Sequence, residues 1–386
     1  MENNLLIVHG GGPTVVLNSS LYGVISEARV SGRVDKIYGA IGGSEGIMKE
    51  NFKELGNVPE DKLKLLLQTP GTAIGSSRYA LTEEDYARMP DIFQKHGIRY
   101  VLFNGGNGTM DTCGRVYEVC RNRNIYVVGI PKTMDNDISV IDHAPGYASA
   151  ARYIAATTAE VGADVKGLPI HVCIIEAMGR NAGWITAASA LARRGKMDAP
   201  HLIYFPERAF DQEEFLRDVK ELYDELGGVV VVVSEFLRDK RGESIVPPIF
   251  TSGRAEYSGE LGAYLANLVV QRLGIKARNE KPGLCGRASM AYQSEVDREE
   301  AILVGRKAVR AALDGRTGVM IGINRVPGKA YAIETPSIAI RDVMLEEKKL
   351  PENYINEKGN DVTEDFLDWC RPLIGYELPE YIFFNQ

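Results

Sequence analysis

The sequence has few of the residues that build metal or disulfide centres, and it has no long hydrophobic run. Its five cysteines include no CxxC pair, which argues against a zinc ribbon or a disulfide framework and is typical of the reduced thiols of a cytoplasmic protein. Its five histidines include no HxH or HxxxH spacing, so a cage of imidazoles around a metal is not expected. The longest apolar run, residues 229–233, is far shorter than a membrane span.

Positive charge and targeting signals are also scarce. The 386-residue chain has a net charge of −7, so it lacks the basic excess that follows a nucleic-acid backbone. A small anionic ligand needs only a local cluster of cations and is compatible with this charge. The first residues, MENNLLIVHG, place no basic segment before the apolar ones, so no secretory signal is expected. These features predict a cytoplasmic protein whose partners include neither nucleic acid nor a membrane.

Short apolar runs alternate with longer amphipathic segments along the chain. This alternation is typical of βα units around a mostly parallel sheet, and the length exceeds one ordinary core, which predicts two domains. The predicted strands are residues 5–8, 101–103, 126–130, 171–175, 202–205, 229–233 and 319–323. The predicted helices include residues 16–31, 150–161, 184–194, 261–273 and 299–313.

Three glycine-rich turns interrupt this pattern. They are HGGGPTVVLN (residues 9–18), TPGTAIGSSR (69–78) and FNGGNGTMD (103–111), and the first and last follow predicted strands. Glycines at a strand-to-helix turn let the main chain approach an anion, which the helix N-terminus then binds. The sequence contains neither GxxxxGK[ST] nor GxGxxG, so the turns predict a polyphosphate site of another kind.

A charged turn follows the apolar run of VVGIPKTMDNDI, residues 127–138. The run is typical of a strand buried on both faces, and Pro131 should end it. Lys132, Asp135 and Asp137 then emerge at a carboxyl end of the sheet, where open α/β sheets bind ligands. A solvated turn would explain these charges if they stood alone, but the glycine turns make a phosphate site the better explanation.

Two further segments carry cations. Arg180 follows a glycine in AMGRNAGW, after the apolar run HVCIIE, and is predicted to open a helix. Its planar fork of donors suits a phosphate. The segment KARNEKPGLCGRAS adds Lys276, Arg278 and Arg287 around a Pro-Gly turn, each of which alone would be an ordinary surface residue.

The motifs GGGPTVVLN, TPGTAIGSSR, GGNGT, PKTMDND and MGRNAGW, in this order, resemble those of the phosphofructokinase family over essentially the whole chain. The likeness is greatest to its bacterial pyrophosphate-dependent branch. The resemblance implies an α/β fold of two Rossmann-like domains with mostly parallel sheets. Residues 1–145 plus roughly 286–350 would bind the phosphoryl donor, and roughly 146–285 plus 351–386 would bind the sugar phosphate. It further implies a Mg²⁺-dependent glycolytic phosphotransferase that converts fructose 6-phosphate into fructose 1,6-bisphosphate, in a homodimer or homotetramer.

The resemblance also implies residue roles. Asp135 would take the proton from the sugar 1-hydroxyl beside Asp137, with Thr133 as a hydrogen-bond partner and Lys132 as a fixed positive charge. The implied donor-site residues are Gly11, Arg78, Gly106, Asn107, Gly108 and Thr109. The implied sugar-phosphate residues are Thr133, Asp135, His171, Met178, Gly179, Arg180, Glu235, Arg278 and Arg287.

Three positions depart from the family pattern. Asn107 stands where many members have an aspartate that helps to hold Mg²⁺, and an uncharged amide is a weaker ligand. His171 stands where an arginine or lysine normally reaches the distal phosphate of the sugar, and Leu284 occupies a position that is commonly polar. The last two leave the acceptor open, and a kinase of another sugar phosphate, such as sedoheptulose 7-phosphate, is an alternative.

The donor depends on two positions that point in different directions. Pyrophosphate-dependent members carry aspartate at the position of Gly108, where a carboxylate would exclude the α-phosphate of ATP. Lys132 is the residue seen with pyrophosphate, but a lysine does not exclude ATP. The sequence therefore favours ATP, with pyrophosphate as the alternative donor. A non-catalytic sugar-phosphate-binding subunit is a further alternative, which the presence of Asp135 and Asp137 disfavours.

Overall fold

The computed structural model describes residues 2–195, 197–252, 255–257, 259–328, 330–344 and 347–384. The chain forms two compact units, each from two segments of sequence. Unit 1 comprises Met1–Ala148 and Arg287–Lys348, and unit 2 comprises Ser149–Gly286 and Lys349–Gln386. No helix in the ranges given above is long and apolar enough to cross a membrane.

Unit 1 contains a mostly parallel sheet. In the described part of the chain its strand order is β15-β12-β5-β4-β1-β2-β3, and only the outermost strands, β3 and β15, pair antiparallel. The strands of this sheet are β1 Asn4–His9, β2 Ile37–Ala40, β3 Phe52–Glu54, β4 Ile98–Gly105, β5 Tyr126–Pro131, β12 Val319–Ile321 and β15 Ser337–Ala339. A short hairpin pairs β13 Asn324–Arg325 with β14 Ile333–Glu334.

Helices cover both faces of this sheet. Alternate residues of the central strands enter opposite cores: Leu6 packs on the face of α4 and α5, whereas Leu5 packs on the face of α1 and α11. This is why the central strands are apolar at every position and not at alternate ones. The helices are α1 Leu17–Ser31, α2 Gly43–Met48, α3 Glu60–Leu63, α4 Glu83–Lys95, α5 Asn107–Cys120, α11 Glu295–Leu313 and α12 Ile340–Val343.

Unit 2 contains a smaller parallel sheet of order β11-β6-β8-β7 in the part that is described. Val172, Ile174, Val229 and Val231 of its central strands are fully buried. The strands of unit 2 are β6 Val172–Ala177, β7 Leu202–Tyr204, β8 Val229–Ser234, β9 Phe250–Ser252, β10 Ala255–Tyr257 and β11 Ala277–Glu280. The remaining helices are α6 Tyr147–Gly167, α7 Trp184–Ala188, α8 Gln212–Leu226, α9 Leu261–Leu273, α10 Cys285–Ala288 and α13 Glu364–Cys370.

Each predicted strand and helix corresponds to an observed one, but two boundaries change the description of the site. His171 was predicted inside a strand, and β6 begins one residue later and continues to Ala177. Arg180 was predicted to open a helix, and it lies instead in a turn before α7, which begins at Trp184. The predicted helix 184–194 is only one α-helical turn followed by a 3₁₀ turn, Ser189–Ala192.

Candidate active site

Three neighbouring strands of unit 1 end at the same edge of its sheet. β1, β4 and β5 are parallel, with Val8 opposite Phe103 and Phe103 opposite Gly129. Because parallel strands share a carboxyl end, the segments that follow them begin side by side. These segments are the first glycine turn (residues 10–12), the glycine turn 105–109 and the charged turn 132–137. We call this the carboxyl edge of unit 1.

The segment 69–78 is tied to the first glycine turn by hydrogen bonds. Ser76 Oγ donates to the carbonyl of Gly11 over 2.8 Å, and Ser77 forms a parallel bridge with Gly10. Arg78 follows Ser77 and is exposed. The third predicted turn therefore joins the same edge and brings Arg78 next to the first.

Helix α5 presents its N-terminus at this edge. The carbonyl of Gly106, the N-cap residue, accepts from the N–H groups of Thr109 (2.8 Å) and Met110 (3.0 Å). The first turn contains no acidic residue, so the positive end of the helix dipole favours an anion there. A Cβ added at Gly108 would meet no heavy atom of the described residues within 4 Å. The helix start thus has room for a side chain or a ligand beside Gly108.

Lys132 lies behind the first glycine turn. This lysine is buried, and its Nζ donates to the carbonyl of Gly12. Burial, together with the charge of Lys132, lowers the pKa of His9 at the end of β1 to about 3. His9 is therefore neutral at physiological pH, and its Nδ1 lies 2.8 Å from Thr72 Oγ1. Of these two side chains, the lysine and not the histidine contributes a positive charge here.

The two aspartates of the charged turn flank a residue with left-handed backbone. Asn136 has a φ of 52°, which asparagine tolerates better than most residues, and its Oδ1 accepts from the N–H of Ala144 over 3.1 Å. The N–H of Asp135 donates to Thr133 Oγ1 over 3.1 Å, and its side chain is half-buried, whereas Asp137 is buried. The order Asp-Asn-Asp is thus explained by the turn itself: its centre needs asparagine.

Asn107 lies against Asp137. Its Nδ2 donates to the main-chain oxygen and to Oδ2 of Asp137, both over 3.1 Å. The remaining oxygens, Asn107 Oδ1 and Asp137 Oδ1, are buried and have no hydrogen-bond partner among the described residues. Such oxygens are costly unless water or a cation satisfies them, and both types are ligands of Mg²⁺. The pair fits part of a Mg²⁺ shell, although the described ranges contain no cluster of three or more histidine, cysteine or acidic side chains.

Lys348 holds the charged turn from the other side. Its N–H donates to the carbonyl of Asp137 over 2.9 Å. Burial lowers the pKa of Lys348 to about 7, although the nearby carboxylates of Asp142 and Asp137 raise it. The oxygens that accept from its Nζ are Asn136 Oδ1 (3.2 Å), the Ile141 carbonyl (3.0 Å) and the Asp142 carbonyl (2.8 Å).

A buried histidine fixes the segment that follows. His143 lies between two carboxylates, with Nδ1 2.8 Å from Asp142 Oδ2 and Nε2 2.7 Å from Glu300 Oε2. Tyr331 Oη donates to the other Glu300 oxygen, and Arg325 lies 3.6 Å from Asp142. Burial alone would lower the pKa of His143, but the hydrogen bonds to the two carboxylates outweigh it and raise the pKa to about 9. This network ties the segment after the charged turn to α11.

In unit 2, Glu235 shapes the turn that carries Arg180. The carboxylate of Glu235 follows β8, and its Oε1 accepts from the N–H groups of Gly179 (3.2 Å) and Arg180 (3.0 Å), which follow β6. Arg180 has a φ of 54°, a strained region for a residue other than glycine. Burial raises the pKa of Glu235, although these hydrogen bonds lower it. Met178, Gly179, Arg180 and Glu235 are thus brought together.

His171 and Arg278 lie at the opposite end of the same sheet. His171 precedes β6, and Arg278 of β11 pairs with Cys173, the second residue of that strand. Burial, followed by the charge of Arg278, lowers the pKa of His171. Six residues of β6 separate His171 from Met178, which is roughly 20 Å along a strand. One copy of the chain therefore does not bring all the predicted sugar-phosphate residues together.

Arg287 lies at the carboxyl edge of unit 1. A Cβ added at Gly12 would lie 3.1 Å from Arg287 Cζ and would overlap its Nη1. The guanidinium thus covers the face of the first glycine turn, whose carbonyl Lys132 contacts. Leu284, three residues earlier, is exposed.

Comparison with known proteins identifies the family. A family model described as Phosphofructokinase matches residues 4–312, well over half of the chain. The chain belongs to the phosphofructokinase family. Members of this family are phosphotransferases with an alcohol group as acceptor, which confirms the predicted class of reaction.

Several relatives of this chain are similar to it over nearly their whole length. The pyrophosphate–fructose 6-phosphate 1-phosphotransferase of Rhodospirillum rubrum is 36% identical over 98% of this chain and 96% of its own. The sulfofructose kinase of Alkalicoccus urumqiensis is 31% identical over 94% of this chain and 95% of its own. The crystal structure of a pyrophosphate-dependent phosphofructokinase from Marinobacter aquaeolei has a TM-score of 0.89 at 34% identity, over 98% of this chain and 94% of its own.

These comparisons confirm the resemblance, the α/β phosphofructokinase fold and the phosphotransferase class. They support the alternative donor, pyrophosphate, better than ATP, which the sequence favoured. That preference was based on one glycine, whereas the likeness to pyrophosphate-dependent enzymes extends over the whole chain. The roles of single residues, and the assignment of donor and sugar phosphate to separate domains, stay predictions.

Three residues that fix the turns of this site were not predicted from the sequence. They are His9, Glu300 and Lys348. His9 immediately precedes the first glycine turn, and its position at a strand end was a signal that could have been read. Lys348 and Glu300 gave no such signal, because Lys348 contacts Asn136, and Glu300 contacts His143, from more than 150 residues away. Only the packing of α11 and of the segment after α12 brings them there.

Proposed function

We propose that this member of the phosphofructokinase family transfers a phosphoryl group from pyrophosphate to the 1-hydroxyl of fructose 6-phosphate, giving fructose 1,6-bisphosphate. The observation that carries the proposal is the full-length similarity to enzymes named for pyrophosphate. The buried Lys132 at the first glycine turn supports it, because a fixed cation there would stabilise the terminal charge of a short donor.

The carboxyl edge of unit 1 supplies what phosphoryl transfer needs from a protein. The first glycine turn and the N-terminus of α5 offer N–H groups to phosphate oxygens, while Lys132 adds positive charge. Asp135 acts as the general base that takes the hydroxyl proton, and Thr133 holds the turn through its bond to the Asp135 N–H. Gly11, Arg78, Gly106, Asn107 and Thr109 complete the donor side of the proposal.

Mg²⁺ is the proposed cofactor. Asn107 Oδ1 and Asp137 Oδ1 would hold it, because both are buried oxygens in need of a partner. The ion would neutralise charge on the donor oxygens, and with few protein ligands it would depend on the donor and on water for the rest of its shell. The aspartate carries the charge at this site, and the asparagine orients it through its amide.

Unit 2 supplies the proposed acceptor residues, in two groups. Arg180, with Met178, Gly179 and Glu235, lies at the carboxyl end of β6, and His171 with Arg278 lies roughly 20 Å away at its amino end. Both groups contact one sugar phosphate only if a second copy of the chain provides the second group. We therefore propose a homodimer, or a tetramer built from such dimers. A cytoplasmic location stays a prediction.

ATP is the second candidate donor, and Gly108 favours it. No described side chain occupies the space beside this residue, so the structure does not exclude a longer donor there. A sulfonated ketose is a second candidate acceptor, because the lowered pKa keeps His171 uncharged and a sulfonate carries less charge than a phosphate. The sulfofructose kinase among the relatives supports this alternative.

Steady-state kinetics of the purified full-length protein tests the proposal. Formation of the 1-phosphorylated product is measured with Mg²⁺ and either pyrophosphate or ATP. The acceptors are fructose 6-phosphate, which would give fructose 1,6-bisphosphate, and sulfofructose, which would give sulfofructose 1-phosphate. We expect the largest kcat/KM with pyrophosphate and fructose 6-phosphate. A larger kcat/KM with ATP would contradict pyrophosphate as the donor. A larger kcat/KM with sulfofructose would contradict fructose 6-phosphate as the acceptor. Absence of turnover with any pair would overturn the enzyme assignment.

A further inference from the structure

We propose that Asn18 is a positioning residue for the phosphoryl donor, because it holds the segment 69–78 in the shape that presents Arg78 beside the first glycine turn. Asn18 ends the motif GGGPTVVLN, and the reaction proposed above gives it no role. The inference rests on the proposed donor site, to which Arg78 belongs.

The first part of this segment has no regular ladder of hydrogen bonds to hold its shape. Residues 69–76 are all described, and none of them belongs to a helix or a strand. Gly71 and Gly75 have left-handed backbone, with φ values of 72° and 74°, so the segment is a series of turns. The main-chain polar groups of such a segment must find partners in other segments or in water.

Asn18 provides partners for the start of the segment. Its side chain is fully buried in the first turn of α1. Its Nδ2 donates to the carbonyl of Thr69 over 2.8 Å and to that of Gly71 over 3.4 Å, while its Oδ1 accepts from the N–H of Ala73 over 2.9 Å. One amide therefore fixes the main chain on both sides of the Gly71 turn.

Other hydrogen bonds hold the segment against the first glycine turn. His9 Nδ1 lies 2.8 Å from Thr72 Oγ1, and Ser76 Oγ donates to the carbonyl of Gly11 over 2.8 Å. The segment is thus held to α1 at its start and to the glycine turn near its end. Arg78 follows two residues after Ser76.

This anchoring matters for the binding of a phosphate by Arg78. The arginine is exposed, so its side chain loses rotamer freedom when it binds an anion, and freedom of its main chain would add to that loss. An anchored main chain reduces the second loss and preorganises the guanidinium. Because Asn18 is fully buried, it would act on the donor through the segment.

Separate titrations with the two ligands test the proposal on the full-length protein. Calorimetry with magnesium pyrophosphate and with fructose 6-phosphate gives a Kd for each. We expect Asn18→Ala to raise the Kd of pyrophosphate about 10- to 100-fold, because it removes several hydrogen bonds that fix the segment. The Kd of fructose 6-phosphate should change less than about twofold, because the segment is assigned to the donor.

Thr72→Val is a milder second variant. It keeps the shape of a half-buried side chain and removes the hydrogen bond with His9, so the Kd of pyrophosphate should rise about 2- to 10-fold. Thermal melting shows which variants are folded, and Thr72→Val keeps the test decisive if Asn18→Ala does not fold.

A double-mutant cycle with Arg78→Gln separates positioning of the arginine from a general loss of structure. If Asn18 acts through Arg78, Asn18→Ala should raise the Kd of pyrophosphate less than about twofold further once Arg78→Gln is present. Independent effects would instead multiply. The same cycle is run with Thr72→Val.

Asn57→Ala is the matched control. Asn57 is exposed and follows β3, which runs antiparallel to β2, so it lies at the edge of the sheet opposite to the donor turns. Its Nδ2 donates to Glu54 Oε1 over 2.6 Å. Its loss should leave both Kd values unchanged.

The outcomes distinguish this inference from the proposed reaction. An unchanged Kd of pyrophosphate, an equal rise for both ligands, or effects that multiply with Arg78→Gln would overturn the role of Asn18 and leave the reaction in place. If the wild type binds ATP and not pyrophosphate, the donor is wrong, and the same criteria applied to titrations with magnesium ATP decide the role of Asn18. A wild type that binds neither donor would overturn the proposed function and this inference with it.

Discussion

Asp135 and Asp137 differ in their surroundings although only one residue, Asn136, separates them. Asp135 is half-buried and its side chain is accessible to a ligand, whereas Asp137 is buried and accepts from Asn107. The sequence predicted that these residues stand at a strand end, because an apolar run stops at Pro131. It could not predict which carboxylate is buried, since that depends on the left-handed backbone of Asn136 and on contacts with other segments.

Asp135→Asn tests the general base. The amide has nearly the same shape as the carboxylate and cannot take the hydroxyl proton, so we expect kcat to fall about 10²- to 10⁴-fold with little change in the Kd of either substrate. Single-turnover kinetics and equilibrium titration measure these two quantities. Asp137→Asn is the informative comparison, since this variant should also raise the Mg²⁺ concentration needed for half-maximal activity. Turnover near that of the wild type in Asp135→Asn would remove Asp135 from its role.

Gly108→Asp tests donor choice. The described structure has room for the side chain, and an acidic residue in the first turn of α5 is favourable to the helix, so the variant should fold. A carboxylate about 4 Å from the α-phosphate of ATP would repel it by roughly 4 kcal/mol at an effective dielectric near 20. We expect kcat/KM to fall strongly for ATP and to change little for pyrophosphate. If both donors lose activity equally, residue 108 does not lie beside the α-phosphate.

At the scale of elements, the sequence predicts the turns at the carboxyl edge of unit 1. It does not predict the distant residues that hold these turns in place. β1, β4 and β5 each end where glycines or charged residues follow an apolar run, so the turns could be placed at strand ends from the sequence. The contacts of His143 with Glu300 and of Lys348 with the charged turn depend on how distant segments pack. No local pattern in the sequence encodes them.

The buried His143 network predicts a pH dependence of stability. The pKa of His143 rises from 6.5 in the unfolded chain to about 9 in the folded one, so the charged imidazole stabilises the fold fully below pH 6.5. This stabilisation, on the order of 3 kcal/mol, should be lost as the pH rises through 9. Urea unfolding of wild type and His143→Gln measures it. The difference in the free energy of unfolding between the two proteins should shrink from pH 6 to about pH 10. A difference that stays constant with pH would contradict a charged His143 in the folded protein.

At the scale of the whole molecule, two residues of unit 2 that are close in sequence lie far apart in space. His171 and Met178 are close in sequence, and the family resemblance implies that both contact one sugar phosphate. An extended strand lies between them, so the two residues stand at opposite ends of the sheet. The strand predicted over residues 171–175 already lies between them, so it was the resemblance, and not the sequence pattern, that assigned both residues to one phosphate.

This separation makes the proposed dimer testable by combining two defective chains. In a twofold dimer, each site would take Arg180 from one chain and Arg278 from the other. Arg180→Ala and Arg278→Ala should each abolish most activity in their own dimers. A hybrid dimer would hold one site that lacks both arginines and one that is intact. Co-expression in equal amounts, with a different affinity tag on each chain, should therefore restore about a quarter of the wild-type activity, because half of the dimers are hybrids with one working site.

The purified hybrid gives the sharper measurement, because it should show about half of the wild-type kcat per dimer with an unchanged KM for fructose 6-phosphate. If both arginines instead served one site within a single chain, every site of the hybrid would lack one of them, and activity would stay at the level of the parents. Co-expression of Arg180→Ala under both tags controls for the tags themselves and should restore nothing. If activity recovers in the mixed sample and not in this control, each site is shared between two copies of the chain. If it does not recover, His171 and Arg278 have a different role at the amino end of β6.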